Sequence, residues 1–302
     1  MNREKILIVI AGPTAAGKTA AAVELAKQLK TEIISADSRQ FYREISIGTA
    51  KPTLEELSQA KHYFINSHSI QQNFSVGDFE REGLAVLEDI FKTHDTAIMA
   101  GGSGLYINAI CKGFDDLPSS PPKIRASLQS GFEQNGVTWL QEKLKACDPG
   151  YYAKVDLNNP HRLIRALEVF ESTGKPFSFF RKAETVKRNF RCFKIGLNLP
   201  REVLYERINS RVDDMITEGL VEEARLLYPH RKLNALNTVG YSELFDYFDG
   251  KADLETAVAL IKQNTRRFAK RQLTWFKKDN EIHWMAADDP QLLKNILAKL
   301  PY

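Results

Sequence analysis

Short apolar runs alternate with helix-like segments through the first third of the chain. Three runs consist almost entirely of apolar residues, as strands buried inside a parallel sheet do: residues 6–11, 33–36 and 97–100. Segments between them repeat apolar residues every three or four positions, which is the spacing of one helix face. A capping-box pattern, Ser75 three residues before Asp78, marks the start of one such helix. Strands alternating with helices predict an α/β fold, a parallel sheet flanked by helices.

The alternation of strands and helices stops at residues 117–122, whose sequence Leu-Pro-Ser-Ser-Pro-Pro is typical of a linker. The segment that follows, up to about residue 190, has mostly helical periodicity, and we interpret it as an insertion. After it we expect four elements: a strand at residues 193–199, helices over 201–228 and 254–276, and a strand at 281–285. We therefore predict two domains: a core of residues 1–115 and 191–302, and a mostly helical insertion of residues 116–190.

The amino-acid composition excludes several classes of protein. A hydrophobic content of 43% and a charged content of 26% are ordinary for a globular protein. The net charge of +4 is small, so binding to nucleic acid would need locally clustered charge. Three cysteines are too few for a disulfide framework or a zinc site. Since no apolar stretch approaches the ~20 residues that span a bilayer, and the first run is too short for a signal peptide, we expect a cytoplasmic protein without a membrane partner.

Residues 12–19 fit the phosphate-binding loop pattern G-x-x-x-x-G-K-[ST] at every fixed position. The loop lies between a predicted strand and a predicted helix, so backbone N–H groups and a helix N-terminus should surround one anion. Lys18 adds a positive charge, and the Thr19 hydroxyl is a ligand for Mg²⁺. The predicted loop for a diphosphate or triphosphate consists of Gly12, Pro13, Thr14, Ala15, Ala16, Gly17, Lys18 and Thr19.

Two further segments follow predicted strands and should reach the same edge of the sheet. Asp37 comes directly after the second strand, and Gly-Gly-Ser-Gly at residues 101–104 follows the third. Asp37 could bind Mg²⁺ through water, accept a proton from a nucleophile, or simply cap a helix. The glycine-rich segment could let backbone approach a ligand, with Ser103 as its hydrogen-bonding side chain, or form a plain tight turn.

Basic residues cluster late in the chain, with no acidic residue among them between residues 262 and 278. At helical spacing they form two rows, Arg266 with Lys270 and Arg267 with Arg271. The apolar residues predicted to face inward from this helix are Leu260, Phe268 and Trp275. Such a basic face suits a phosphate backbone, although a solvated helix surface has the same pattern.

The order of motifs along the chain resembles the tRNA dimethylallyltransferases, also called tRNA isopentenyltransferases. Ser-Ala-Asp-Ser-Arg-Gln at residues 35–40 and Ile-Gly-Thr-Ala-Lys-Pro at residues 47–52 match the family's segment after the phosphate loop. Gly-Gly-Ser-Gly-Leu-Tyr at residues 101–106 is similar to the family's Gly-Gly-Thr-Gly-Leu-Tyr. The likeness covers nearly the whole chain and continues at residues 159–169, 173–176, 207–215, 239–241 and 265–275.

The resemblance implies a P-loop NTPase-like core that transfers a dimethylallyl group from dimethylallyl diphosphate to the exocyclic amine of an adenosine. That adenosine lies on the 3′ side of the anticodon in tRNA, and it must be flipped out to reach the site. The loop and Mg²⁺ would stabilise the departing diphosphate. Asp37 is expected to accept the proton of the amine or to orient the amine. The expected partners are dimethylallyl diphosphate and the tRNA anticodon stem-loop, and the expected state is a monomer.

The resemblance also assigns individual residues. The implied catalytic residues are Asp37, Lys18, Thr19, Ser103 and Arg211, with Thr19 as the metal ligand. The resemblance implies that the insertion and the basic C-terminal helix bind the anticodon stem. The implied tRNA-binding residues are Asp37, Ser38, Arg39, Gln40, Ser103, Arg125, His161, Arg162, Leu163, Ile164, Arg165, Arg266, Lys270 and Arg271.

The sequence departs from the family at a few positions. Ser103 replaces the usual threonine, which keeps the hydroxyl but loses a methyl group that restricts its rotamer. Phe41 replaces a small aliphatic residue, and Lys-His-Tyr at residues 61–63 differs from the usual Pro-His-His. These changes bear on substrate preference and leave the reaction class unchanged. A small-molecule kinase and an NTP-binding module that docks on RNA also fit the phosphate loop, but the sequence offers no clear element that recognises a base or ribose of NTP.

Overall fold

The computed structural model describes residues 4–115, 117–181 and 186–301. The chain divides into two compact units. The core unit contains residues 1–112 and 187–302, and the insertion unit contains residues 113–186. No helix in the described ranges is both long enough and apolar enough to cross a membrane.

Six strands of the described residues form one sheet in the core unit. They are β1 (Ile6–Ala11), β2 (Ile33–Ser35), β3 (His62–Tyr63), β4 (Thr96–Gly101), β5 (Arg191–Asn198) and β6 (Ile282–Ala286). The strand order is β3-β2-β4-β1-β5-β6, and every neighbouring pair is parallel. All six strands therefore end at the same edge, where open α/β sheets bind their ligands.

Helices account for most of the remaining described residues. They are α1 (Lys18–Leu29), α2 (Leu54–Gln59), α3 (Val76–Thr93), α4 (Gly104–Lys112), α5 (Pro122–Cys147), α6 (Pro149–Tyr152), α7 (Pro160–Thr173), α8 (Phe177–Phe180), α9 (Arg201–Thr217), α10 (Leu220–Leu227), α11 (Tyr241–Phe248), α12 (Leu254–Phe276) and α13 (Leu292–Lys299). Short 3₁₀ turns lie at Ile47–Thr49, Tyr228–His230 and Asn234–Leu236. Helices α5 to α8 belong to the insertion unit.

The burial of β1 explains why its sequence is apolar throughout. Ile8 and Ile10 point to one face of the sheet, into a cluster with residues of α1 and α13. Leu7 and Val9 point to the other face, into a larger cluster with residues of α3 and α4. Because helices cover both faces, the strand has no polar side. The predicted fold class, a parallel α/β sheet flanked by helices, is confirmed.

One predicted helix boundary is confirmed and one predicted helix is wrong. The Ser75 hydroxyl accepts a hydrogen bond from the Asp78 N–H at 3.2 Å, and the Asp78 carboxylate accepts one from the Ser75 N–H at 2.9 Å. The single helix predicted over residues 201–228 is instead two, α9 and α10. Gly219 separates them with a φ of +102°, a conformation that favours glycine and ends a helix.

The insertion unit has an apolar core of its own, supplied largely by α5 and α7. Asn159 caps the start of α7, and its side chain accepts a hydrogen bond from the Arg162 N–H at 3.3 Å. Gly174 caps the end of the helix with a φ of +71°. Both ends follow the usual capping chemistry, an asparagine at the start and a left-handed glycine at the end.

Candidate active site

The phosphate loop, residues 12–19, connects β1 to α1 at the carboxyl edge of the sheet. Gly12 has no room for a side chain, because a Cβ there would lie 2.5 Å from the carbonyl oxygen of Leu197 on β5. Gly17 precedes α1 with a φ of +79°, which residues with a side chain rarely adopt. The Lys18 ammonium donates to the Pro13 carbonyl oxygen at 2.7 Å. The loop therefore presents backbone amides and a helix N-terminus together, the arrangement that binds phosphate groups.

Two cations lie at this loop. Burial lowers the pKa of the Lys18 ammonium to about 8, while the Asp37 carboxylate raises it and the Arg211 guanidinium lowers it further. Burial also lowers the pKa of Arg211, which lies on α9. Among the described residues neither cation forms an ion pair with a carboxylate. Two desolvated, unpaired positive charges favour a polyanionic ligand, which would restore the pKa of both groups.

Asp37 lies in the turn directly after β2. Its Oδ1 accepts hydrogen bonds from the N–H groups of Arg39 at 2.9 Å and Gln40 at 3.4 Å. The carboxylate therefore caps this turn, whereas the sequence analysis considered a helix cap at this position. No hydrogen bond from a described residue reaches its Oδ2. The turn fixes the position of the carboxylate and leaves one oxygen available to a ligand.

The glycine-rich segment at residues 101–104 packs against the turn of Asp37. The Ser103 hydroxyl accepts a hydrogen bond from the Ser38 N–H at 3.0 Å, and the Ser103 N–H donates to the Ala36 carbonyl oxygen at 3.2 Å. A Cβ at Gly101 would lie 2.1 Å from that same carbonyl oxygen. This glycine is therefore needed for a close approach between two protein segments, a role that the sequence analysis did not consider.

Helix α12 contacts both loops through Gln272, which the sequence analysis did not single out. Its Oε1 accepts a hydrogen bond from the Thr14 N–H at 2.8 Å, and its Nε2 donates to the Gly102 carbonyl oxygen at 3.0 Å. The available signal was its spacing, three residues after Ala269 and four before Phe276, both of which are buried on the same face.

The inward face of α12 differs from the one predicted. Leu260, Phe268 and Trp275 are 39%, 40% and 40% exposed, so the prediction that they face inward is wrong. The buried residues are Ala257, Ile261, Ala269, Gln272 and Phe276. Gln272 on this face reaches the glycine-rich segment, where a Cβ at Gly102 would lie 2.2 Å from its Nε2.

The basic residues of α12 fall into two groups. Lys270 and Arg271 are exposed. Arg266 instead turns toward α9, where it donates to the Asn209 side-chain oxygen at 2.6 Å. The predicted row of Arg266 with Lys270 is therefore not one continuous free surface, because the guanidinium of Arg266 is held by a neighbouring helix.

Comparison with known proteins identifies the family of the chain. A family profile described as IPP transferase matches residues 40–279. A tRNA dimethylallyltransferase from Christiangramia forsetii is 57% identical over 283 residues, which cover 94% of this chain and 94% of that protein. The chain belongs to the IPP transferase family. It is a prenyltransferase, and the family resemblance seen in the sequence is confirmed.

Solved structures of related proteins have the same fold. The tRNA isopentenylpyrophosphate transferase from Bacillus halodurans is similar with a TM-score of 0.71 and 39% identity, over 97% of this chain and 94% of that chain. A eukaryotic dimethylallyltransferase acting on tRNA is similar with a TM-score of 0.79 and 28% identity, over 97% of this chain and 77% of that chain.

In this IPP transferase, the predicted tRNA contacts of the insertion unit divide by burial. Leu163 and Ile164 are buried in the apolar core, so their side chains contact protein and are not available to RNA. His161 and Arg162 are exposed. Arg125 and Arg165 form ion pairs with the buried carboxylate of Glu168, at nitrogen–oxygen distances of 3.4 Å and 3.6 Å. One carboxylate thus positions two arginines, whose binding roles stay predictions.

Two residues of the core unit that are predicted to contact tRNA form hydrogen bonds with carbonyl oxygens of the protein. The Gln40 amide donates to the carbonyl oxygens of Thr49 at 3.2 Å and Ala50 at 3.0 Å. The Arg39 guanidinium donates to the Asn234 and Asn237 carbonyl oxygens, each at 3.4 Å. Both side chains brace the turn of Asp37, and direct contact with tRNA stays a prediction for them.

A metal at this site would depend on few protein ligands. Among the described residues, no group of three or more His, Cys, Asp or Glu side chains is arranged to hold a metal ion. Thr19 lies in the first turn of α1, beside Lys18. Mg²⁺ keeps several waters and takes one or two protein oxygens together with phosphate oxygens. The Thr19 hydroxyl next to a diphosphate therefore fits Mg²⁺.

Proposed function

We propose that this IPP transferase moves a dimethylallyl group from dimethylallyl diphosphate to the exocyclic amine of the adenosine 3′ to the anticodon in tRNA. The observation that best supports the proposal is that two desolvated cations, Lys18 and Arg211, lie beside the phosphate loop. Asp37 is close enough to influence Lys18 electrostatically. Anion-binding groups and a carboxylate therefore share one site, as transfer from a diphosphate to an amine requires.

The phosphate loop binds and stabilises the leaving group. Its backbone amides and the N-terminus of α1 donate to the diphosphate oxygens, and Lys18 and Arg211 neutralise the charge that develops as the group departs. Magnesium, held by Thr19 and the diphosphate oxygens, would supply further charge neutralisation. These groups act on the transition state, because the negative charge on diphosphate increases as the carbon–oxygen bond breaks.

Asp37 serves the acceptor side of the reaction. The adenine amine nitrogen forms a bond to the allylic carbon, the bond from that carbon to the diphosphate oxygen breaks, and the amine loses one proton. The Oδ2 of Asp37 accepts this proton, while Oδ1 stays bonded to the turn. The Ser103 hydroxyl, fixed by the Ser38 N–H, keeps its own proton available for a hydrogen bond to the flipped base.

Contacts to tRNA come from exposed cations in both units. Lys270 and Arg271 on α12, and Arg125 and Arg162 in the insertion unit, are exposed and would bind phosphates of the anticodon stem. Each contributes affinity without reading sequence, so selection of the adenosine rests on the groups around Asp37. The active form is proposed to be a monomer.

Transfer of radiolabel from dimethylallyl diphosphate to tRNA tests the proposal. Label should be retained on tRNA, with release of one diphosphate for each group transferred. A tRNA with guanosine in place of the target adenosine is the matched control and should stay unlabelled. Turnover of ATP without label on tRNA would contradict the proposal and would favour a kinase.

A further inference from the structure

Gln272 is a polar side chain buried in the core unit, with 7% of its surface exposed. Both ends of its amide are bonded. Thr14, the third residue of the phosphate loop, donates its N–H to Oε1 at 2.8 Å, and Nε2 donates to the Gly102 carbonyl oxygen at 3.0 Å. One side chain on α12 therefore joins two loops that are far apart in the sequence.

The three segments meet closely at Gly102. A Cβ at this position would lie 2.2 Å from the Nε2 of Gln272 and 3.5 Å from the Gly12 carbonyl oxygen. The next residue, Ser103, accepts the Ser38 N–H in the turn that carries the candidate base. A continuous chain of hydrogen bonds and close contacts thus runs from the phosphate loop through Gln272 to that turn.

We propose that Gln272 is a positioning residue for prenyl transfer. By holding the Thr14 N–H and the Gly102 carbonyl with one planar amide, it sets the distance between the bound diphosphate and the Asp37 carboxylate. This inference rests on the proposed function. The allylic carbon and the amine must approach closely and in line for the bond to form, so a small displacement of either loop reduces productive complexes.

An amide is the group that this position requires. Its oxygen accepts and its nitrogen donates, which matches the N–H of Thr14 on one side and the carbonyl of Gly102 on the other. An ionised glutamate can accept from Thr14, but its second oxygen faces the Gly102 carbonyl and repels it. A protonated glutamate regains a donor. Methionine has a similar length and makes neither bond.

Kinetics of three variants test this role. Gln272→Glu at pH 8 should lower kcat and raise the KM for dimethylallyl diphosphate, each about tenfold, while the Kd for tRNA stays within about twofold of wild type. Gln272→Met should also lower kcat and raise this KM. The matched control is Gln263→Glu, because Gln263 is exposed on the same helix; it should leave all three constants unchanged.

Lowering the pH of the assay distinguishes a positioning role of Gln272 from a role in packing alone. As the pH falls toward 6, protonation of the new carboxyl should bring Gln272→Glu closer to wild type, whereas Gln272→Met should not recover. Wild type measured in parallel corrects for other titrating groups, among them Lys18. A Gln272→Glu variant with a lower melting temperature but with unchanged kcat and KM would overturn the proposal.

Calorimetry with inorganic diphosphate keeps the two proposals distinguishable. Weaker diphosphate binding by Gln272→Glu, relative to wild type and Gln263→Glu, supports the positioning of the phosphate loop even if wild type places no label on tRNA. If wild type labels tRNA, and Gln272→Glu shows both unchanged diphosphate binding and an unchanged kcat, the role of Gln272 is overturned and the proposed function stays intact.

Discussion

Binding of an alkyl diphosphate should weaken as the pH rises through 8, because the free protein loses the charge on Lys18. Burial holds the pKa of this ammonium at about 8, below the ordinary 10.5. Bound diphosphate places negative charge beside the ammonium and raises its pKa, so the complex contains the protonated form. Affinity is therefore fully present below pH 8 and declines above it. Arg211 stays charged across this range, as guanidinium groups do.

The magnitude follows from the fraction of free protein that carries the charge. With a pKa of about 8, about nine-tenths of Lys18 is protonated at pH 7 and about one-tenth at pH 9. The Kd should therefore rise about tenfold between these two pH values. At pH 8, binding of one diphosphate should take up about half a proton.

Titration calorimetry in buffers of different ionisation enthalpy measures both quantities. A saturated alkyl diphosphate is suitable because it cannot react and its terminal phosphate titrates near pH 6, roughly as phosphate monoesters do. Lys18→Arg keeps its charge and should give a flat dependence above pH 8. Lys51→Met is the matched control: Lys51 also has a pKa of about 8, but its ammonium donates to the Tyr42 carbonyl oxygen at 2.6 Å. This control should retain the wild-type slope, and a flat wild-type curve would refute the reasoning.

Three other substitutions test the site. Asp37→Asn keeps an oxygen that can cap the turn but removes the base, so the single-turnover rate of prenyl transfer should fall about 10²–10⁴-fold while tRNA still binds. Replacing Lys270 and Arg271 with alanine should reduce the slope of log Kd for tRNA against log salt by about 1.4 to 1.8, the value for two phosphate contacts. Gly104→Ala should lower the free energy of unfolding by about 1–3 kcal/mol in urea denaturation, because its Cβ would lie 2.2 Å from the tryptophan ring of α12.

Each of these three predictions has its own control and its own contradicting result. An unchanged single-turnover rate in Asp37→Asn would remove this carboxylate from the chemistry. For the basic pair the control is Lys262→Ala, since Lys262 is already paired with Asp213 at 2.6 Å; a wild-type salt slope in the double variant would show that this surface lies away from tRNA. For Gly104 the control is Gly77→Ala, whose Cβ has its nearest neighbour at 3.8 Å. Equal losses of stability in both glycine variants would contradict the packing argument.

The inward face of α12 shows why periodicity misled the sequence analysis. Large apolar residues usually mark the buried side of a helix, and on that basis Phe268 and Trp275 were expected to face inward. The structure instead buries Ala269 and Gln272 there. The two hydrogen bonds that Gln272 makes, to the Thr14 N–H and the Gly102 carbonyl oxygen, explain why a polar residue is buried on this face, and both partners come from distant parts of the chain.

Some residue roles also depended on neighbours that no local pattern reveals. Gln40 is predicted to contact tRNA, and in the structure its amide donates to the carbonyl oxygens of Thr49 and Ala50; the contact with tRNA stays a prediction. Leu163 and Ile164 lie within a motif that resembles the family's tRNA-contacting run, yet both are buried. A motif identifies the residues that a family shares, but it does not separate those that touch a ligand from those that hold the others in place.

The sequence by itself determined the elements whose hydrogen bonds and dihedral angles involve residues close along the chain. The phosphate loop, the fully buried β1 and the capping box at Ser75 are of this kind, and so is the family to which the chain belongs. Tertiary structure alone decided which groups surround Lys18 and which brace the loops. Gln272 lies 258 residues from Thr14 and 170 from Gly102; such pairs are set by how helices pack on the sheet, because periodicity specifies which face of a helix is buried but not what it is buried against.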